Sequence, residues 1–404
     1  MSNSIIYNKK YYDKIANFMN LGEKSDFEIL LYGHDYNHIS QFISFIFLNY
    51  KVINPKINDT QFNESLNTFI YPTTILDNYP NKQKTKVIIF EENYYETVNF
   101  LISIGFNPFE QIYDGLIMLG VKDEPNLDKT TRLVFTGAGQ GDVGGIFTYN
   151  FDHSKFDKVV EGDFRDLKPY KNGYLAIDDN VGLIQYDNQF RKINEIIIKN
   201  MDLHGFDIDP KNENIVYLVE TATDIIGIYN LSTGQKIDEL LFSGEKSIDK
   251  HHINDILVTE QSVYLSLFSL NGLFDRSAWQ GDGAIIRLSR EKKGLIEEVL
   301  LHGLDGPHTI INFADDIIFC DSLNRRVFRN EKILCEFNGF VRGLYFNGHS
   351  LFVAQSKKRR IIDTAHKFNN NAIQSGIHIY HISSKTSSFI PTPFTKNIYS
   401  IIAE

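Results

Sequence analysis

His204-Gly205-Phe206-Asp207-Ile208 is answered further along the chain by His252-Ile253-Asn254-Asp255-Ile256. Each stretch opens on a polar residue and leads, after a similar interval, into a more apolar strand, Ile215 to Val219 and Val263 to Leu267. Strands of that type recur outward in both directions, at Leu133 to Phe135, Tyr174 to Ile177, Ile317 to Cys320 and Leu351 to Ala354. That makes six. Each is followed by a third strand, as in Ile226 to Tyr229, and a fourth closes the unit, as in Lys236 to Phe242. Four strands repeated six times predict an all-β six-bladed propeller over residues 126–404, in which a ring of sheets keeps exposed edges short. The first unit begins at its second strand, and the chain ends in an orphan segment, Ile398-Tyr399-Ser400-Ile401-Ile402. The propeller is therefore expected to be closed by the C-terminal strand, as the innermost strand of the first blade.

The innermost strands begin Phe164-Arg165-Asp166, Leu203-His204-Gly205, His251-His252-Ile253, Pro307-His308-Thr309 and Val341-Arg342-Gly343. Equivalent starts on successive blades face one another across the channel mouth. His204, His252 and His308 are thus expected to converge with Arg165 and Arg342, although histidine supplies only 12 of 404 residues. Three imidazoles with an open position suit a divalent transition metal, Zn, Mn, Fe or Ni; a channel holding only water is the alternative. The two arginines suit a carboxylate or phosphate, which a guanidinium grips in fork geometry. Asp207 and Asp255, three residues after their histidines, either orient the imidazoles or are ordinary strand aspartates; Asp255 is the one given a catalytic role beside Arg165 and Arg342. Asp178, Glu220, Asp321 and Gln355 end second strands near the mouth. Two long insertions lie on the same side, Ser269 to Gly283 with the single Trp279, and Ser356 to Ser375 with the basic run Lys357 to Arg360. They read as a lid.

Residues 1–125 follow a different grammar. Phe27 to Tyr32 is a short apolar run, then come the turn Gly33-His34-Asp35, a helix expected over Ile39 to Tyr50, and a strand at Lys51 to Ile53. Lys86 to Phe90 repeats the pattern, with a helix ending at Gly105 before Pro108. This is a small α/β domain of βαβ type. Gly33 is the candidate cofactor-binding position, because a glycine in a strand-to-helix turn lets a nucleotide phosphate approach the helix; a plain turn residue is the alternative.

Composition limits the partners. At 42% apolar and 23% charged residues, with no apolar run near the roughly 20 a membrane span needs, a soluble chain outside the membrane is expected. A net charge of −10 argues against nucleic acid. The opening residues lack a secretory signal, and two cysteines, Cys320 and Cys335, read as small core residues; a cytoplasmic location is expected.

Val98-Asn99-Phe100-Leu101-Ile102-Ser103-Ile104-Gly105-Phe106-Asn107-Pro108-Phe109-Glu110-Gln111-Ile112 resembles the closing half of the small Rossmann-like domain met in sugar-nucleotide and surface-glycan enzymes. The blades resemble the six-bladed propeller superfamily of sugar-lactone hydrolases and a group of uncharacterised bacterial propeller proteins. The lactonase pattern places Glu, Asn and Asp around a hard cation, whereas this chain offers imidazoles, so its site is more similar to that of propeller lyases. The resemblance implies a metal-dependent lyase or hydrolase acting on an anionic carbohydrate-like or sugar-nucleotide-derived small molecule, in glycan or natural-product biosynthesis. A non-catalytic propeller that binds a glycan or a protein is the alternative.

Overall fold

The computed structural model describes residues 13–19, 21, 27–44, 49–91, 93–121, 132–139, 143–199, 201–243, 248–292, 294–357, 367–368 and 370–404. They fall into two compact units, one built on the N-terminal α/β residues and one on the propeller strands. The boundary expected at residue 125 lies outside the described residues, as do Lys358, Arg359 and Arg360.

The N-terminal unit holds one mixed sheet made of β1 (Glu28–Tyr32), β2 (Tyr50–Ile53), β3 (Gln61–Asn63), β4 (Thr68–Tyr71), β5 (Thr85–Ile89) and β6 (Ile112–Asp114). Its order is β3-β4-β2-β1-β5-β6, and all neighbours are parallel except β3 with β4. The central strands β1 and β5 are apolar in their later residues, Ile29 to Tyr32 and Val87 to Ile89, because both faces are covered there. Ile29, Leu31 and Ile88 face one core with Phe42 of α1 (Tyr36–Ile43), and Leu30, Val87 and Ile89 face another with Val98 and Leu101 of α2 (Tyr94–Ser103). The helix expected from Ile39 instead starts at Tyr36, because the Asp35 carboxylate accepts the Asn37 and His38 amides and caps it. The short β3 gives no buried apolar signal, since Gln61 and Phe62 are exposed, whereas Ile70 of β4 is buried.

The second unit is a six-bladed β-propeller of six four-stranded sheets. Five of them run in chain order from inside to outside, with innermost strands Phe164–Tyr170, Leu203–Ile208, Ile253–Val258, Pro307–Phe313 and Phe340–Phe346 for blades two to six. In blade one the order is Ile398–Ala403, Arg132–Gly137, Gly145–Asn150, Lys155–Val160. The C-terminal strand thus pairs antiparallel with Arg132–Gly137, in the register Ile398 with Gly137 and Ile401 with Phe135. Second strands are the most apolar, and neighbouring blades share cores, as where Val219 and Ile226 of blade three meet Ile256 and Leu265 of blade four. Cys320 and Cys335 are buried free thiols in strands of blade five, where burial pushes both thiols up.

Candidate functional site at the channel mouth

Every innermost strand carries a register shift where it begins. The shifts lie between Phe164 and Asp166, Leu203 and Phe206, Ile253 and Asp255, His308 and Ile310, Val341 and Leu344, and Ile398 and Ile401. A bulge bends the strand and re-aims the side chain beside it. The residues that precede the candidate positions pair with the ends of the second strands, as in Phe164 with Asp178, Leu203 with Glu220, Ile253 with Leu267 and Pro307 with Asp321. The next residue on each blade is therefore equivalent, giving a ring of Arg165, His204, Asn254, His308, Arg342 and Tyr399. All six line one cavity, which leaves about 20 Å³ of free space, room for one water.

This register corrects the sequence reading at one position. His252 stands two residues ahead of the ring member of its blade, Asn254. Its backbone takes a left-handed turn (φ 48°), its ring stacks on Phe274 at 4.0 Å, and its Nδ1 meets the Asp249 carboxylate at 2.9 Å. It still touches the ring edgewise, 5.2 Å from His204. Among the described residues no group of three His, Cys, Asp or Glu side chains is placed to hold a metal ion.

Arg165 donates to Tyr399 Oη at 2.7 Å and to Asp179 at 3.0 Å, so both terminal nitrogens are engaged. Burial works against its charge, and Tyr399, Asp163 and Asp179 more than restore it. The Arg342 Cζ lies 3.6 Å from the centroid of the Tyr399 ring and the Arg165 Cζ 5.2 Å from it, so the phenol meets two guanidiniums. The His204 Nδ1 meets the Asn254 amide at 3.0 Å and its Nε2 lies 3.3 Å from Asp202. Burial drives His204 down to about 4 despite that carboxylate, so the ring is neutral at pH 7. His308 is held through Nδ1 by the Gly306 carbonyl and the Ser322 hydroxyl, both at 2.8 Å, and its buried Nε2 has no partner among the described residues. Burial and the Arg342 charge keep it well below its ordinary range.

One step further along the strands lies a second layer with Asp166, Gly205 and Asp255 in equivalent positions on blades two, three and four. Gly205 has to be glycine, because a Cβ there would sit 2.1 Å from the Asp255 carboxylate. Asp166 accepts the Phe206 amide at 3.2 Å and Asp255 the Ile310 amide at 2.7 Å, each from the next blade. Asp207, deeper still, accepts the Val258 amide of the next blade at 2.7 Å and pairs with Lys168 at 2.9 Å. These aspartates latch neighbouring blades, and neither Asp207 nor Asp255 is seen holding an imidazole. Burial, and then the Asp166 charge, push Asp255 up to about 7.

Asp178, Glu220, Asp321 and Gln355 bind their own surroundings: Asp178 accepts the Asp163 amide, Glu220 the Tyr229 hydroxyl, Asp321 the Asp305 amide, and Gln355 donates to the Gln374 carbonyl. The Ser269–Gly283 insertion is pinned by Asp282, which accepts from Ser269 and Asn271, and Trp279 is buried against Phe268. In the N-terminal unit Gly33 is explained by packing, since a Cβ would stand 2.7 Å from the Phe90 carbonyl oxygen. The helix amides beyond it are capped by Asp35, which leaves a carboxylate where a pyrophosphate would lie. A surface hollow of about 560 Å³ runs along residues 77–84 and contains none of these residues.

No family model and no curated protein sequence matches the chain. Among solved structures, it is similar to a protein of unknown function from Bacteroides caccae, with 13% identity over 67% of this chain and 97% of that one and a TM-score of 0.48. A chain of a nidogen/laminin complex gives 11% identity, 67% and 97% coverage and 0.47; the Myceliophteria thermophila Cps50 (Swd1) propeller domain gives 10%, 64% and 87%, and 0.40. At those scores the fold rests on the chain's own strand pairing. No helix among the described residues is long and apolar enough to cross a membrane.

Proposed function

We propose that an anionic, carbohydrate-like small molecule docks over the channel mouth, with only its acid group turned to the six-residue ring, whose cavity of about 20 Å³ is too small for a sugar. One observation carries this reading: each blade contributes one polar side chain to the ring and two of the six are guanidiniums, while the carboxyls of Asp166 and Asp255 line the same cavity one step deeper. Arg165, fixed by Asp179 and Tyr399, is a rigid source of positive charge, and Arg342 is the planar fork we assign to the ligand's acid group. Neutral His204, neutral His308 and Asn254 supply partners for hydroxyls. Calorimetric titration of the full chain with glucuronate, glucose 6-phosphate and glucose tests it. Binding of the two anions alone is expected, and Arg342→Lys should weaken both roughly tenfold, the worth of one charge-assisted hydrogen bond. No binding by any, or equal binding by all three, overturns it.

A metal-dependent lyase or hydrolase is the second reading, with Zn, Mn, Fe or Ni held by His204, His252 and His308 and with Asp255 moving a proton. The partnerless Nε2 of His308, with Nδ1 fastened behind it, favours it, because ligating imidazoles are oriented in this way. Such an ion would polarise a substrate oxygen. We also infer that the strand Ile398–Ala403 closes the ring, that the N-terminal unit is Rossmann-like, and that the protein works in the cytoplasm.

A further inference from the structure

What the channel mouth can select turns on His308. Its side chain is 1% exposed, its Nδ1 is fastened to the Gly306 carbonyl, and its Nε2 has no partner among the described residues. A carbonyl can only accept, so Nδ1 carries the ring proton and Nε2 an unshared pair. Phe268 and Phe340 approach the imidazole edge-on, at 5.1 and 5.5 Å between centroids, and burial with the Arg342 charge beside it keeps the ring neutral. The bulge that aims His308 puts Thr309 at φ 37°, a left-handed backbone that a β-branched residue adopts only under constraint. Such strain is retained where a side chain has to be held in one direction.

The neighbouring groups are committed elsewhere. His204 is engaged through both nitrogens, with Asn254 and Asp202, while Arg165 donates to Tyr399 and Asp179. Asp166 and Asp255 accept amides from the next blades. A ligand group that meets His308 must therefore bring its own proton, and the cavity of about 20 Å³ admits one such atom. Arg342 lines the same cavity and favours negative charge. A carboxylate satisfies Arg342 but turns only lone pairs towards Nε2, and so does a sulfate ester; a buried acceptor left facing an acceptor is penalised. A phosphate monoester with one proton satisfies both, with an anionic oxygen for the guanidinium and a P–O–H for the imidazole. Its second ionisation falls at about 6, so this form is present near neutrality.

We propose that the anion docked over the channel mouth is a phosphate monoester, bound as its monoanion, with the P–O–H donating to His308 Nε2 and the charged oxygens facing Arg342. This assignment rests on the anion reading above and adds that His308 selects among anions.

Calorimetric titration of the full chain at pH 5.5 compares glucose 6-phosphate, glucose 6-sulfate, glucuronate and gluconate, after chelator treatment so that no metal ion takes up the lone pair. At that pH both esters are mainly monoanions of similar shape, and only the phosphate carries an O–H. Glucose 6-phosphate should bind roughly tenfold tighter than glucose 6-sulfate or glucuronate, the worth of one charge-assisted hydrogen bond. His308→Phe should bring the two esters level by weakening the phosphate alone. Equal binding of both esters to wild type means that water stays on His308; it overturns the selection and leaves the anion reading standing, whereas binding of none of the four removes both. Gluconate, a carboxylate with a hydroxyl on the next carbon, overturns the phosphate if it binds tighter than glucose 6-phosphate. Should His308→Phe fail to fold, the wild-type comparison still decides, and a proton found on His308 Nε2 by nitrogen NMR also overturns the proposal.

Discussion

Asp255→Asn tests the latch layer beneath the ring through its effect on stability as a function of pH. The carboxylate is buried, faces Asp166 across Gly205, and is raised from an ordinary 3.8 to about 7 by burial first and the Asp166 charge second. A carboxyl whose folded pKa is raised holds its proton in the native state while the unfolded chain has already lost it. Its contribution to stability is thus full below about 4 and lost as pH rises through about 7. At roughly 1.4 kcal/mol per tenfold change in proton affinity, the total is on the order of 4 kcal/mol, of which about 3 falls between pH 5 and pH 8. Asparagine keeps an oxygen for the Ile310 amide and carries no charge, so it removes the pH dependence and leaves the latch. Asp166, displaced upward by burial as well, is relieved of its neighbour in the same variant. Urea unfolding at pH 5, 6, 7 and 8, followed by the fluorescence of the single Trp279 in blade four, measures the effect. The variant should come level with wild type at pH 5, where the carboxyl is neutral too, and exceed it by about 3 kcal/mol at pH 8. Parallel curves, or a variant that is weaker at pH 8, would refute a shared buried charge between blades two and four.

Truncation after Pro393 removes Ile398, Ile401 and Ile402, all at most 3% exposed, at roughly 1.5 to 3 kcal/mol each. Together with unpaired edges on Arg132–Gly137, that matches the stability of a whole domain, so limited proteolysis should find the propeller unfolded. Tyr399→Phe takes the acceptor at 2.7 Å from Arg165 and keeps the ring under Arg342; a loss of about 1 to 3 kcal/mol in melting experiments is expected, with anion binding weakened. If the second functional reading holds, protein purified without a His-tag carries close to one equivalent of Zn, Mn, Fe or Ni, and His308→Ala loses it. Wild type left metal-free after exposure to each ion would dismiss that reading.

The blades could be counted in the sequence because second strands are buried on both faces and read as unbroken apolar runs. Ile398 to Ile402 is legible for another reason, because it follows the last complete blade while the first blade begins at its second strand. Register was harder, and His252 shows why. The likeness of His204 to Ile208 and His252 to Ile256 aligns Asp207 with Asp255, yet strand pairing aligns Asp255 with Gly205. The turn after the innermost strand differs between the two blades, from Ile208 to Ile215 in one and from Val258 to Ser262 in the other, so position cannot be counted from the front of the strand. Counting back from the end of the second strand gives the correct residue, because the bulge lies on the far side of that pair. By that rule Asn254 and Tyr399 could have been found, although neither is the histidine or arginine that draws the eye. Tyr399 then joins the two halves of the molecule's logic. It arrives on the last strand of the chain, meets both Arg165 and Arg342, and holds the first by its hydroxyl and the second by its face. The strand that pairs with blade one is also the strand that fills the sixth position of the ring. A chain that had not yet docked its C-terminus would present two guanidiniums without the phenol they share, so assembly of the candidate site must wait for the last strand to pair.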